Sequence, residues 1–268
     1  MTWEIKEDYL EDVVILGRAA PEEMGDGRQS VCTGAWSSER GFIRLYPIDP
    51  QDNLFSRWDI VNVDVERNPN DYRHESWKIK GRKKNQTEKV EIVGEYPRHK
   101  RGTLIHNLTD DCVNDINEAE RSLGIISPDE IHELEYVDWE TDDAPGKQVK
   151  LFENIEEYKP DNREDFEQNI KLRYTCEDCS TKQGYHNQTL LSWEAYMGMK
   201  NTDNKNQLSD NFRFDDDDYR HWLFVGNMNS YKNSFIVISV LRLKDPSINS
   251  TFRSFRKVDP NFKPASEH

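Results

Sequence analysis

The stretch that decides the predicted fold is Gly41-Phe-Ile-Arg-Leu-Tyr-Pro-Ile48. Successive side chains of a β-strand point to opposite faces of a sheet, so this segment would present two different rows. The two rows are Phe42, Arg44 and Tyr46, and Ile43, Leu45 and Pro47. Because both rows contain large apolar side chains, we expect a strand that is packed on both sides.

Five further short runs rich in β-branched and aromatic residues surround this strand. They span residues 12–18, 30–36, 60–66, 76–80 and 90–96. Gly, Pro, Asn and Asp separate nearly all of them, a spacing typical of an antiparallel or mixed barrel or sandwich rather than of alternating strands and helices.

The second half of the chain mixes both element types. Thr109 and Gly124 have the character of a helix N-cap and a closing residue, so we predict a helix over 109–124. A second helix is expected at 190–199, and strands are expected at 131–139, 170–175, 222–226 and 234–243. Residues 141–147 and 201–218 are predicted to be exposed polar segments. The fold class is therefore α+β and β-rich, with a β-rich part at 1–105 and a mixed part at 106–268, packed as one unit.

Charge and composition limit the class of protein. The net charge of the 268 residues is -15, so a nucleic-acid partner would have to be bound through a local basic patch. No segment approaches the roughly 18 apolar residues that span a bilayer, and residues 1–8 are charged where a signal peptide is apolar. Four cysteines, two of them in a Cys-x-x-Cys motif, favour a reducing compartment. We therefore predict a cytoplasmic protein without membrane contact.

The sharpest local signal is Cys176-Glu-Asp-Cys179, followed by His186. A tetrahedral zinc site takes four thiolate or imidazole ligands, and a Cys-x-x-Cys turn supplies two of them at a suitable separation. His186 is the candidate third ligand. The candidates for the fourth are Cys32, Cys112 and His221. Cys32 is favoured because it lies on a predicted strand, and a zinc ion with four protein ligands would be structural rather than catalytic.

Two other interpretations of these cysteines remain open. A redox dithiol needs a thiolate that is stabilised by a helix N-terminus or by positive neighbours. Glu177 and Asp178 lie between the two cysteines and would act in the opposite direction. The third interpretation is that the cysteines are structural thiols without a metal.

A second signal is a basic segment. Between Arg73 and Arg101, ten Lys or Arg stand against four Glu. Two basic groups, at 81–84 and 98–101, flank a predicted strand pair that could bring them together as a phosphate-binding patch. The candidate contacts are Lys78, Lys80, Arg82, Lys83, Lys84, Arg98, Lys100 and Arg101. Tyr72, Trp77 and Tyr96 are the candidates for base stacking. The alternative is that these are ordinary solvated turns.

A third signal is a set of polar residues on predicted strands or next to them. Arg44 needs a carboxylate partner if it points inward, and Asp71 or Glu75 could supply one. Such a group could line a nucleotide pocket or form a structural bridge. Asp64 and Glu66 lie two residues apart on one strand face and could bind catalytic metal ions.

Several segments together resemble a family of uncharacterised prokaryotic proteins. They are Cys32-Thr-Gly-Ala35, Arg44-Leu-Tyr-Pro-Ile48, Asp71-Tyr-Arg-His-Glu-Ser76, the Cys176, Cys179 and His186 cluster, Trp193-Glu194 and Phe224-Val-Gly-Asn227. The spacing between Cys179 and His186 is longer here than in that pattern. The resemblance implies a single integrated module and indicates no reaction type.

The sequence thus predicts a zinc-containing, nucleic-acid-associated accessory or binding protein whose partner is DNA or RNA. One alternative is a metal-dependent nuclease or nucleotide hydrolase that uses Arg44, Asp71 and Glu75. The other is a subunit that binds a protein partner within a larger complex.

Overall fold

The computed structural model describes residues 7–23, 29–50, 54–69, 71–81, 85–138, 168–177, 181, 183–200, 206–229 and 231–244. The strands are β1 Glu7–Arg18, β2 Glu22–Glu23, β3 Gln29–Ser37, β4 Gly41–Ile48, β5 Asp59–Glu66, β6 Ser76–Ile79, β7 Val90–Glu95, β8 Thr109–Asp110, β9 Leu123–Ile126, β10 Glu130–Asp138, β11 Gln168–Thr175, β12 His186–Thr189, β13 Tyr219–Met228 and β14 Tyr231–Lys244. The α-helices are α1 Arg98–Leu108, α2 Val113–Glu118, α3 Trp193–Lys200 and α4 Asn206–Phe212. None of the helices in these ranges has the length and apolar character required to cross a membrane. The predicted loop at 141–147 lies outside the described residues.

Five strands of the N-terminal half close into a barrel. The order around the ring is β1-β3-β4-β6-β5, and β5 pairs with β1 to complete it. Neighbouring strands are antiparallel except β4 and β6, which are parallel. The ring satisfies the backbone groups along both sides of each of its strands, and β7 extends the sheet from β5 as an additional strand.

The interior of the barrel follows from the alternation in its strands. Ile43 and Leu45 of β4 point inward and are fully buried, as are Val61, Val63 and Val65 of β5. Apolar burial at about 25 cal/mol per Å² makes this row the main stabilising contribution of the barrel. The two-residue period of β4 is thus the one that the sequence predicts.

A second sheet covers the outer face of the barrel at β3 and β4. Its strand order is β14-β13-β9-β8. Phe224 of β13 stacks against Phe42 of β4, with their ring centroids 6.0 Å apart. A Cβ atom on Gly34 would lie 2.0 Å from the Phe224 ring, so a glycine is required there. The contact explains why β4 has large side chains on both faces, and it confirms a β-rich α+β barrel.

A third sheet and the helices complete the second core. The third sheet has the order β10-β11-β12 and joins the second sheet where the Leu191 N–H donates to the carbonyl of Val237 at 2.8 Å. Leu104, Ile105 and Leu108 of α1 are buried in this core with Ile116 of α2. The strands expected at 131–139, 170–175, 222–226 and 234–243 are observed, in most cases one to three residues longer at an end.

The predicted helix at 109–124 is wrong in extent. Residues Thr109–Asp110 form β8, and α2 begins only after Cys112, whose side chain accepts a hydrogen bond from the Asp115 N–H. Glu120 has a φ of 54°, a conformation that ends the helix. Leu123–Ile126 then forms β9, because four buried apolar residues gain more from pairing with β13 than from extending a short helix.

Candidate metal centre and nucleic-acid surface

Three residues from separate segments of the chain meet in the core beside the third sheet. Cys112 immediately precedes α2, Cys176 follows β11, and His186 begins β12. Their sulfur and nitrogen atoms lie within 4.8 Å of one another, and all three residues are buried. The Cys112 Sγ and His186 Nε2 atoms are 3.5 Å apart. Pairing between β11 and β12 places His186 opposite Tyr174, two residues before Cys176, which brings the thiol and the imidazole together.

The side chains around this group orient it. The Tyr174 ring stacks against the His186 imidazole with a centroid separation of 4.9 Å, and the Tyr174 hydroxyl donates to Gln188 Oε1 at 3.0 Å. Burial lowers the pKa of His186, so its imidazole is neutral at pH 7. Neutral imidazole is the form that binds a metal ion, and such outer contacts fix the orientation of a ligand.

The donor set fits a zinc ion. In a tetrahedral site with Zn–S bonds of ~2.3 Å, neighbouring ligand atoms lie about 3.8 Å apart, which the observed separations of up to 4.8 Å approach. Two thiols and an imidazole are also the ligand types that zinc prefers. Cys179, the second cysteine of the Cys-x-x-Cys motif, lies outside the described residues, and its spacing makes it the candidate fourth ligand.

The structure distinguishes the three sequence candidates for the remaining zinc ligand. Cys112, one of the three sequence candidates, belongs to the cluster. Cys32, which the sequence favoured, lies on β3, where its sulfur is 3.2 Å from Nη1 of Arg44. His221 has its Nε2 atom 2.8 Å from the carbonyl of Phe212. The structure therefore brings Cys112 to Cys176 and His186, and it places Cys32 and His221 in other contacts.

Arg44 and Glu75 connect the barrel to the second sheet. Glu75 accepts hydrogen bonds from the backbone N–H and the hydroxyl of Ser122, at 2.7 and 3.0 Å. Arg44 Nη2 donates to the carbonyl of the same serine at 2.9 Å. Arg44 and Glu75 are 4% and 6% exposed. The side chain of Arg44 therefore binds Ser122, not the carboxylate that we expected from the sequence. Glu75 binds the same serine, which precedes β9, so Arg44 and Glu75 form a structural bridge.

Asp71 belongs to a second structural bridge between the barrel and the second sheet. It accepts from Arg73 Nε at 2.8 Å and from the Ser76 hydroxyl at 2.6 Å, while Arg73 Nη1 donates to the carbonyl of Asn227 at 2.8 Å. Burial would raise the pKa of Asp71, but the hydrogen bonds from Arg73 and Ser76 outweigh it and lower the pKa. Asp71 thus orients an arginine that binds β13.

The strand carboxylates and the barrel lysines neutralise one another. Glu66 pairs with Lys78 at 2.5 Å, Asp64 lies 3.7 Å from Lys89, and Lys80 pairs with Glu7 at 2.5 Å. A carboxylate that forms an ion pair with a lysine is a poor ligand for a catalytic metal ion. A lysine in such a pair also attracts phosphate less strongly than an unpaired lysine does. This arrangement gives little support to a two-metal site on β5.

Of the basic residues that the structure describes, Lys78 lies apart from Arg98 and Lys100. Lys78 lies beside Glu66 at one end of β5, whereas Arg98 and Lys100 begin α1, which follows the other end. Seven residues of strand separate these ends by about 23 Å at ~3.3 Å per residue. Arg98 and Lys100 are exposed, and Arg101 pairs with Glu95 and lies over the Trp58 ring. Arg82, Lys83 and Lys84 lie outside the described residues.

One of the three predicted stacking residues is well exposed, and sequence reasoning missed its neighbours. Trp77 is 4% exposed and Tyr96 is half-buried against Trp58, but Tyr72 is 52% exposed. Lys232 Nζ lies 4.3 Å from the centre of the Tyr72 ring, and Tyr231 beside it is 65% exposed. The signal was available, because Tyr231 and Lys232 stand between the predicted strands 222–226 and 234–243, where large apolar side chains are unusual.

Comparison with family models gives two matches. Domain of unknown function (DUF8758) matches residues 10–107, and Domain of unknown function (DUF8757) matches residues 106–259. Comparison with curated proteins gives no match. Among solved structures, the chain is similar to a chain of a replication protein A heterotrimer bound to single-stranded DNA, with 9% identity and a TM-score of 0.35. That match covers 93% of this chain and 51% of the other, so this chain spans about half the length of its structural relative.

Proposed function

The chain belongs to the family of Domain of unknown function (DUF8757), whose model matches residues 106–259, and we propose that it is a nucleic-acid-associated accessory or binding protein with a structural zinc ion. The zinc ligands would be Cys112, Cys176, Cys179 and His186. A cytoplasmic location, and the division of the chain after residue 105, stay predictions.

The connectivity of the barrel is the observation that carries this proposal. If its five strands are numbered along the chain, they form the ring 1-2-3-5-4, with strands 3 and 5 parallel and strand 4 closing on strand 1. This is the Greek-key arrangement of the OB-fold, which binds oligonucleotides on strands 2 and 3 and through the loops after strands 1 and 4. A fold permits several functions, so the argument depends on which of these surfaces remain accessible.

Strands 2 and 3 of this barrel, β3 and β4, are covered by the second sheet. Phe224 occupies the space over Gly34 and Phe42. The corresponding loop after strand 4, residues 67–75, carries the exposed Tyr72. A nucleic acid would therefore be bound through loops and through the exposed cations of α1.

The zinc ion would stabilise the fold rather than catalyse a reaction. A catalytic zinc keeps one coordination position open for water, whereas four protein ligands close the site. The residues of the hydrolase alternative, Arg44, Asp71 and Glu75, are buried and already bonded within the protein. These contacts support a binding role for the protein.

Nucleic-acid binding is expected to weaken with salt in proportion to the cations that contact phosphate. Replacing Arg98 and Lys100 by Ala should lower the slope of log K against log salt by about 1.5, because each phosphate contact contributes roughly 0.7–0.9. The measurement is fluorescence anisotropy with labelled DNA and RNA oligonucleotides at several salt concentrations. Arg213 and Lys244, two cations near the start of β13 and the end of β14, provide a control pair for Ala substitution. An unchanged slope in the α1 variant would remove α1 from the interface, and an absence of binding by the wild type would refute the proposal.

A protein-binding role is the second candidate, and β7 is the observation that favours it. This strand ends the path of the first sheet, and its Ile92 and Val93 are 54% and 45% exposed. An exposed apolar edge strand can pair with a strand of another chain. We expect Ile92→Lys with Val93→Lys to release a protein that co-purifies with the wild type, measured by affinity purification and mass spectrometry. Tyr9→Lys, on β1, is the control, and an identical set of captured proteins in both variants would exclude β7 as the site.

A further inference from the structure

We propose that a single-stranded nucleic acid crosses the tip of the β13–β14 hairpin, with unpaired bases stacked on Tyr72 and Tyr231 and a base edge held in the adjoining amide-lined cleft. This inference rests on the proposed function and names its binding surface and ligand class. The surface combines the loop before β6, the hairpin tip and the segment that precedes β12.

The hairpin tip has unpaired residues because the register between β13 and β14 shifts there. Met228 pairs with Tyr231 and Asn227 pairs with Phe235, so residues 232–234 have no partner in β13. Extra residues in one strand bend it locally and redirect its side chains, as bulges beside functional sites do. Asn227 Nδ2 donates to the carbonyl of Lys232 at 2.9 Å, which fixes the bulge to the strand beneath it.

The tyrosine side of the tip has the groups that bind a single strand. Tyr72 and Tyr231 expose 52% and 65% of their surfaces, and Lys232 Nζ lies 4.3 Å from the Tyr72 ring centre. Exposed aromatic rings stack on unpaired bases, and a neighbouring cation binds the phosphate between them. Arg73 joins the Tyr72 loop to the hairpin through the carbonyl of Asn227, so the two rings are held on one rigid support.

The other side of the bulge lines a cleft of about 370 Å³. Its walls include the side chains of Gln183, Asn187, Gln188 and Asn233, with Tyr185 beside them. An amide offers a donor and an acceptor together, the combination that binds base edges bidentately. Gln188 Oε1 accepts from Tyr174 and Asn187 Nδ2 donates to Glu135, so Gln183 and Asn233 are the candidates for this contact. None of the described residues that line the cleft is a carboxylate. The carboxylate of Glu135 accepts from Asn187 Nδ2 at 3.3 Å, and it is paired with Arg173, which offsets its charge although the whole protein has a net charge of -15.

The spacing fits consecutive nucleotides. Asn233 lies two residues after Tyr231, about 7 Å along an extended strand at ~3.3 Å per residue. That distance corresponds to about two stacked bases at ~3.4 Å each. Duplex bases are already stacked and paired, so this surface favours unpaired bases over a double helix.

The test uses the full zinc-loaded chain and short labelled oligonucleotides of single-stranded DNA, single-stranded RNA and duplex DNA. Tyr72→Ala and Tyr231→Ala should each weaken single-strand binding about tenfold, and Asn233→Ala should change the preference among homopolymers. Tyr219→Ala is the matched control, because Tyr219 also carries a lysine over its ring, Lys244 at 5.7 Å, but begins β13 at the end opposite the hairpin tip. All the variants should unfold at the same temperature as the wild type, since the replaced side chains are at least partly exposed.

Three results would overturn the inference. If the two tyrosine variants bind as the wild type does while Arg98→Ala with Lys100→Ala weakens binding, nucleic acid binds at another surface and the proposed function stands. If duplex DNA binds more tightly than either single strand, the ligand class is wrong. If no oligonucleotide binds the wild type, both this inference and the proposed function fail.

Discussion

A Cys112→Ser variant is expected to lose its metal ion and to unfold far more readily than the wild type. Cys112 contributes one of the three buried donor atoms within 4.8 Å, and a serine hydroxyl is a poor zinc ligand. Structural zinc supplies about 10–16 kcal/mol in small zinc-dependent domains, but here a large core also supports the fold. We therefore expect a loss on the order of 5 kcal/mol in the free energy of unfolding.

Inductively coupled plasma mass spectrometry and thermal unfolding measure the two parts of this prediction. The wild type should contain about one zinc ion per chain, and a strong chelator should lower its unfolding temperature towards that of the variant. Cys32→Ser is the matched control, since Cys32 is also a thiol but contacts Arg44 instead of the cluster. Metal loss in Cys32→Ser with retention in Cys112→Ser would reverse the assignment. A wild type without metal would make the cysteines structural thiols.

Glu75→Ala is expected to destabilise the protein by about 4 kcal/mol. The substitution removes the two hydrogen bonds that the Glu75 carboxylate accepts from Ser122, each contributing roughly 1.5–3 kcal/mol, and leaves a buried N–H without a partner. At about 2–4 °C per kcal/mol for a chain of this size, the unfolding temperature should fall by roughly 10 °C. Chemical denaturation followed by tryptophan fluorescence measures the free energy directly.

His74→Ala is the control for this prediction, because the neighbouring side chain is 69% exposed. It should change the free energy of unfolding by less than about 0.5 kcal/mol. Glu75→Gln separates the structural role from the hydrolase alternative. If Glu75→Gln keeps the stability of the wild type but loses a turnover of nucleotides that depends on divalent metal ions, Glu75 is catalytic. If Glu75→Ala is as stable as the wild type, the structural bridge is refuted.

The local pattern of the sequence predicted the barrel strands well, and tertiary contacts explain the remainder. Alternation in β4 separated its side chains into two rows, because the two-residue period is a local property, and only the structure shows which row faces the barrel interior. The first turn of α1 is exposed and basic, so a strand-end turn was the natural interpretation of Arg98 to Arg101. The end of α2 depends on Glu120 and on the pairing of β9 with β13, which are properties of the assembled sheet.

In the metal cluster, too, local sequence predicted some of the residues and tertiary contacts determine the rest. Cys176, Cys179 and His186 are close in sequence, so their spacing alone indicated ligands. Cys112 immediately precedes α2, which packs against the second sheet, and no local pattern distinguishes this cysteine from Cys32. The partner of Arg44 was missed for a related reason: the backbone carbonyl of Ser122 accepts a hydrogen bond from its guanidinium, and backbone acceptors leave no trace in a sequence.

Because Phe224 packs on Gly34, this part of the outer face of the barrel can be covered only after Phe224 has been synthesised. The ribosome synthesises the barrel strands first. Phe224, whose aromatic side chain covers their outer face, follows more than a hundred residues later. At about 5–20 residues per second, that interval lasts on the order of ten seconds. Until β13 is synthesised, Phe42 has no Phe224 ring packed against it, and we expect this side chain and its neighbours to form an apolar surface on the nascent chain that chaperones can bind.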